Sequence, residues 1–223
     1  MVYLLPILAV AFGFAFVAVF NPSTKKNLRL LLAFSGAFLL SITVFELIPG
    51  IYDGSNVKKV GLFIMLGILL QVFLEFFSKG AEHGHVHVHK NEDIFPWVLF
   101  ISLSIHAILE GFPLHSNDNL LYGIIIHKIP IAIILTSFFL ASSLSNARTI
   151  IFLVLFAFMT PLGSYLSDTS SILTQYKTEI TALVVGILLH ISTIILFESD
   201  KGHKFNIKKL LVITAAITLA YFM

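Results

Sequence analysis

Residues 119–142 read NLLYGIIIHKIPIAIILTSFFLAS, a run in which Lys128 is the one formal charge. Coiled as a helix at 1.5 Å per residue, such a run is about 36 Å long, enough to cross a hydrocarbon slab of roughly 30 Å. His127 and Lys128 stand eight to nine residues into it, ahead of Pro130. A membrane span with an imidazole and an ammonium near its middle decides both the fold class and where chemistry is to be sought, because ionisable groups in a bilayer are expensive and by default mark function or pair with one another.

Working outward, comparable apolar stretches lie near 2–20, 29–50, 59–78, 95–114, 148–167, 179–197 and 207–223. Turn or charge chemistry punctuates the breaks: Asn21-Pro22-Ser23, Asp53-Gly54-Ser55-Asn56, Ser116-Asn117-Asp118 and Ser199-Asp200-Lys201-Gly202. Composition agrees. Of 223 residues, 57% are hydrophobic and 12% charged, with a mean hydropathy of +0.96. A soluble domain carries roughly 25% charged residues, so this chain has too few to cover a water-facing surface. There is no cysteine, which excludes disulfides and thiolate metal sites, and no Lys/Arg cluster of the kind that binds nucleic acid. The first stretch lacks a basic leader and is long enough to span, so it is expected to be a membrane helix rather than a cleaved signal.

The expected fold is therefore all-α, a polytopic membrane helix bundle of about eight transmembrane helices forming one domain over 1–223. Orientation follows from the basic residues. With the N-terminus outside, the inner loops hold ten (Lys25, Lys26, Arg29, Lys79, Lys90, Arg148, Lys201, Lys204, Lys208, Lys209), the outer loops three (Lys58, Lys59, Lys177). That excess fits the positive-inside rule with both termini outside. The one long loop, roughly 79–94, then faces the cytoplasm.

Inside the spans, His106 and Glu110 are spaced i, i+4, which puts both side chains on one helix face, about 5–6 Å apart at Cβ. An imidazole and a carboxylate so placed can share a divalent ion or simply hydrogen-bond to each other. Gly111 and Pro113 follow, so an irregular helix end is expected. Lys128 needs an anionic partner, and Glu110 is the natural candidate; the competing reading is a lysine that snorkels to the interface. Glu46, near the outer end of the second span, reads as an entrance carboxylate or a solvated helix-end glutamate. His190, in the seventh span, reads as a packing residue rather than a ligand, and Glu75 and Glu198 as solvated. Residues 82–89, EHGHVHVH, place His83, His85, His87 and His89 on alternate positions, a tract suited to weak metal binding.

These residues together resemble the ZIP family of zinc and iron transporters, over nearly the whole chain. Ser104-Ile105-His106-Ala107-Ile108-Leu109-Glu110-Gly111 resembles the family's fourth-helix signature. Ile126-His127-Lys128-Ile129-Pro130 resembles its fifth-helix segment, Ser35-Gly36-Ala37-Phe38-Leu39 through Glu46-Leu47-Ile48-Pro49 its second helix, and Thr160-Pro161-Leu162-Gly163 its sixth. The resemblance implies uptake of a divalent metal, zinc above all and otherwise iron, manganese, cadmium or cobalt, through a site between the fourth and fifth helices with His106, Glu110 and His127 as ligands. The ion is cargo, and no enzyme activity is implied. The expected location is the plasma membrane, the inner one if the source is prokaryotic, and the expected partners are the metal ion, the lipid bilayer and a second copy of the chain in a homodimer.

The sequence also departs from the family pattern. Ile131 stands where many members have a glutamate after the fifth-helix proline, and Ala107, Lys128 and Thr160 replace ligands of a second metal. The Lys128 ammonium could stand where that second cation would sit, which predicts one bound metal rather than two. Two rival readings stay open: an intramembrane metalloenzyme, and a metal-binding membrane protein that does not transport.

Overall fold

The computed structural model describes residues 1–20, 25–78, 95–197 and 207–223. The His-rich stretch 83–89 and Glu198 lie outside them. The long helices are α1 (Leu4–Phe20), α2 (Lys25–Ile42), α3 (Val57–Ser78), α4 (Trp97–Gly111), α5 (Asp118–Leu140), α6 (Asn146–Thr169), α7 (Lys177–Phe197) and α8 (Ile207–Tyr221). α2 runs on through a π-helical turn, Thr43–Leu47, into Ile48–Tyr52. Among the described residues there is no strand.

Among the described residues, five helices are long and apolar enough to cross a membrane: Leu28–Tyr52, Val57–Ser78, Asp118–Leu140, Asn146–Thr169 and Lys177–Phe197. Leu4–Phe20 and Trp97–Gly111 are apolar but shorter. The expected fourth span, 95–114, is thus trimmed at its end: the helix stops at Gly111 and the chain passes through Pro113 into a 3-10 turn, Leu114–Ser116. A proline's ring and missing N–H oppose continuation of the ladder. Pro130 and Pro161, by contrast, sit inside α5 and α6 without ending them, a tolerance seen where neighbouring helices re-satisfy the freed carbonyl.

Local sequence explains the turns. Gly54 adopts φ +65°, a left-handed conformation costly for other residues, between α2 and α3. Asn56 Oδ1 then accepts from Lys59 N at 3.1 Å, and Asn117 Oδ1 from Leu120 N at 2.8 Å, each occupying an otherwise free donor at a helix start.

The surface pattern is inverted relative to a soluble protein. On α3, Leu62, Met65, Leu66, Leu69, Val72, Phe73 and Phe76 are exposed, while Ser35, Thr43, Gln71, His106, Glu110, His127, Lys128 and Thr160 are buried. Contiguous apolar surface on this scale suits lipid, not water. α5 lies innermost: 67% of its most apolar window is buried, against 22% for α3.

Small residues set how the helices pair. α3 lies on α7, α4 on α6, α1 on α5 and α8 on α2, with α2 also touching α5 and α7. A Cβ on Gly67 would strike the backbone of Leu183, and one on Gly186 the backbone of Ile64. The same reciprocal contact joins α4 to α6: Gly111 abuts the Thr160 carbonyl, and Gly163 abuts that of Ile108. Close backbone approach of this kind is how helices associate in lipid, where no hydrophobic drive separates one apolar surface from another.

Among the described residues, two apolar clusters fill the interior. One contains Leu99, Leu103, Ala107, Ile131, Leu135, Phe139, Phe152 and Phe156; the other Phe38, Leu39, Ile42, Leu114, Leu120, Ile124, Val184 and Leu188. Along α4 and α5 the polar residues Glu110, His127 and Lys128 fall between the stretches that supply the two clusters.

Candidate metal centre

The waist between the clusters is built from α4, α5 and α6. α4 contributes His106 and Glu110, one helical turn apart, with His106 Nε2 3.3 Å from Glu110 Oε2. α5 contributes Lys128, whose Nζ donates to Glu110 Oε1. α6 contributes Thr160, whose hydroxyl donates to the same oxygen at 2.7 Å. Relative exposures are 4% for His106, 1% for Glu110, 3% for His127 and 3% for Lys128, so none faces lipid.

Each partner answers a physical demand. An isolated carboxylate in this environment would be very costly, and an ammonium equally so. Lys128 neutralises Glu110 and also lies over the Phe156 ring, 5.1 Å from its centroid, a favourable placement for a cation on a π face. Thr160 reaches Glu110 because Gly111 against Thr160, and Gly163 against Ile108, hold α4 and α6 backbone to backbone. The anionic partner that the sequence demanded for Lys128 is therefore Glu110, and snorkelling is not what the side chain does.

His106 and Glu110 are brought together as their spacing required. His127 is buried one residue before Lys128, but among the described residues no three His, Asp or Glu side chains stand as a ready metal cage. Glu110 is engaged by Lys128 and Thr160 instead. His106 Nδ1 is buried with no hydrogen-bond partner among the described residues, an unusual state for a ring nitrogen that keeps a donor or acceptor position open at the site.

Glu46 is neither a solvated helix-end residue nor an open carboxylate. It lies half-buried in the π-helical turn of α2, a distortion common at functional positions. Its Oε2 accepts from Asn117 Nδ2 at 2.7 Å and its Oε1 from Asn119 Nδ2 at 2.8 Å. The start of α5, also favourable for an anion through the helix dipole, is thereby clasped to α2. Asn117, which the sequence marks as turn punctuation, therefore also holds Glu46.

Glu75 requires a correction. It is not solvated: its Oε2 meets His190 Nε2 at 2.8 Å between α3 and α7, and its side chain is 23% exposed. The reading of His190 as a packing residue is correspondingly incomplete. At the far rim, His115 Nε2 and Asp168 Oδ2 are 2.7 Å apart, and Tyr3 donates to the same Asp168 oxygen at 2.9 Å. None of these three residues drew notice in the sequence.

No protein-family model matches the chain. Over 89 residues the chain is 30% identical to zinc transporter ZIP1 of Danio rerio, an alignment that covers 37% of this chain. The match spans 30% of that protein's length, well under half of it. The chain is thus an all-helical protein with membrane-length apolar helices and a partial likeness to a zinc transporter.

Proposed function

We propose that this protein is a membrane carrier of a divalent transition metal, zinc foremost, moving it toward the cytoplasm through one site made by His106, Glu110 and His127. The observation that carries the reading is the buried cluster of His106 and Glu110 with Lys128 and Thr160, enclosed by helices whose outer faces are apolar. The partial likeness to zinc transporter ZIP1 of Danio rerio points the same way.

Imidazole and carboxylate donors suit zinc, iron, manganese, cobalt or cadmium, and three protein ligands leave a position for water, which favours exchange over storage. An ion arriving at Glu110 competes with the Lys128 ammonium, and the same ammonium repels a second cation. Glu46 lies on the way in; to serve an ion it has to release Asn117 and Asn119. His83, His85, His87 and His89 receive the ion on the inner side. Eight spans with both termini outside complete the proposed arrangement.

Zinc uptake into proteoliposomes tests the proposal. Flux should fall to background in His106→Ala and Glu110→Ala; variants that transport like the parent would show the site to be elsewhere. Protein that binds zinc but moves none would make the chain a non-transporting binder. Turnover of a lipid or peptide abolished by Glu110→Gln would make it an enzyme.

A further inference from the structure

Three donor atoms from three separate elements converge at the rim: Tyr3 Oη just ahead of α1, His115 Nε2 in the turn between α4 and α5, and Asp168 Oδ2 near the end of α6. Their separations are 2.7 Å for His115 to Asp168, 2.9 Å for Tyr3 to Asp168 and 3.2 Å for His115 to Tyr3. The rings of Tyr3 and His115 pack against one another with centroids 5.4 Å apart. The side chains of His115 and Asp168 are 36% and 35% exposed, so the triangle is open to solvent on one side.

The geometry points to a surface site for a divalent transition cation, distinct from the midplane cluster. A triangle with these edges has a circumscribed radius of about 1.7 Å. Zinc bonds to imidazole nitrogen and carboxylate oxygen are about 2.0–2.2 Å. An ion therefore sits roughly 1.2 Å above the plane of the three donors, bound from one side and with its remaining positions open to water. His115 in its neutral form and Asp168 are the strong donors. Tyr3, a neutral phenol at physiological pH because its ordinary pKa is about 10, orients Asp168 and offers a weaker third oxygen. A nitrogen–carboxylate set selects zinc, cobalt, nickel or copper(II) over calcium or magnesium.

His115 is two residues from Asn117, which clasps Glu46, so the site adjoins the mouth at which cargo is proposed to arrive. Its use as a first capture point rests on the transport reading; its existence does not.

The test uses the full chain in nanodiscs, with His83, His85, His87, His89, His106 and His127 changed to alanine to remove the other proposed imidazole donors, the buried Glu110–Lys128 pair being kept, and cobalt(II) as the probe. The background should bind one cobalt per chain at this site. His115→Ala should weaken that binding on the order of tenfold or more, as should Asp168→Asn. Asp168→Asn keeps an oxygen that accepts from Tyr3, so it preserves the rim while removing the anionic donor. Tyr3→Phe should have a smaller effect. Paramagnetic broadening of the His115 ring protons by cobalt provides a readout that needs no substitution at the site. A background with no cobalt binding, an Asp168→Asn variant that binds like the background, or undisturbed His115 signals would each overturn the assignment. Zinc flux in the parent is measured separately, so loss of transport and loss of this site are distinguishable.

Discussion

Neutralising the waist one residue at a time gives a sharp expectation. Glu110 and Lys128 are both almost fully buried and touch directly. Removing one member of such a pair costs about 3–5 kcal/mol, because the other is left as an uncompensated buried charge, whereas replacing both by apolar or neutral groups of similar size is close to neutral. The structure sets the order of the two single variants. In Lys128→Met, Glu110 keeps the Thr160 donor at 2.7 Å and the His106 ring at 3.3 Å. In Glu110→Gln, the ammonium keeps the Phe156 face and a neutral amide oxygen. Glu110→Gln should therefore fall near the upper end of the range and Lys128→Met near the lower. At about 1.4 kcal/mol per decade, this amounts to roughly a hundredfold to several thousandfold in the unfolding equilibrium. The double variant should recover most of the loss, giving a coupling of several kcal/mol, beyond the usual range of about 0.5–3 kcal/mol for neighbouring residues. Denaturant unfolding in mixed micelles, run as a double-mutant cycle, measures all four states. Single variants within about 0.5 kcal/mol of the parent, or a double variant whose loss equals the sum of the singles, would refute the view that a buried ion pair organises the waist.

Thr160→Val removes a hydroxyl donated to a charged acceptor and should cost about 1.5–3 kcal/mol in the same assay. Gly163→Ala would drive a Cβ into the Ile108 carbonyl oxygen, with the carbonyl carbon 2.8 Å away, so the backbones of α4 and α6 must part; the expected loss is at least about 1–3 kcal/mol of stability in the same assay. Glu46→Gln exchanges a carboxylate for a group that can satisfy one amide donor less well, and hydrogen–deuterium exchange at the start of α5 should quicken by about tenfold; unchanged exchange would mean the clasp does not hold α5. Trp97, the one tryptophan in the sequence, is 59% exposed at the start of α4; lipids brominated near the headgroup should quench its fluorescence more than lipids brominated near the chain ends, as for an interfacial aromatic.

The depth of each charged group was legible in the sequence, but its direction around the helix was not. Lys128 could be read as paired because no other state of a mid-span ammonium is cheap, and its partner followed because Glu110 stood at a matching depth on the preceding helix. Phe156 and Thr160 could not be read as partners, since the separation of 50 residues between Thr160 and Glu110 is closed by the packing of Gly111 on the Thr160 carbonyl and of Gly163 on that of Ile108. Glu75 was misjudged for a similar reason: its position near a helix end suggests solvent, and nothing in the sequence says that α7 lies alongside with His190 turned toward it. Asn117 and Asn119 looked like turn residues because that is what their type favours, and the cap at Asn117 is real; the second task, holding Glu46, depends on α2 passing within reach. The shortening of α4 at Gly111 was foreshadowed by Gly111 and Pro113, although the apolar character of the next residues had carried the expected span to 114.

The two glycine seams have a mechanical consequence. Where backbone meets backbone without intervening side chains, there is no rotamer to adjust and no compressible layer, so α3 with α7, and α4 with α6, behave as welded struts. Any rearrangement that alternates the exposure of the waist must be taken up along a different boundary. The α2–α5 contact offers one: a Cβ on Gly123 would meet only side-chain atoms of Leu39 and Ile42, at 3.3 and 3.9 Å, so side chains there can slide past each other while the struts stay rigid.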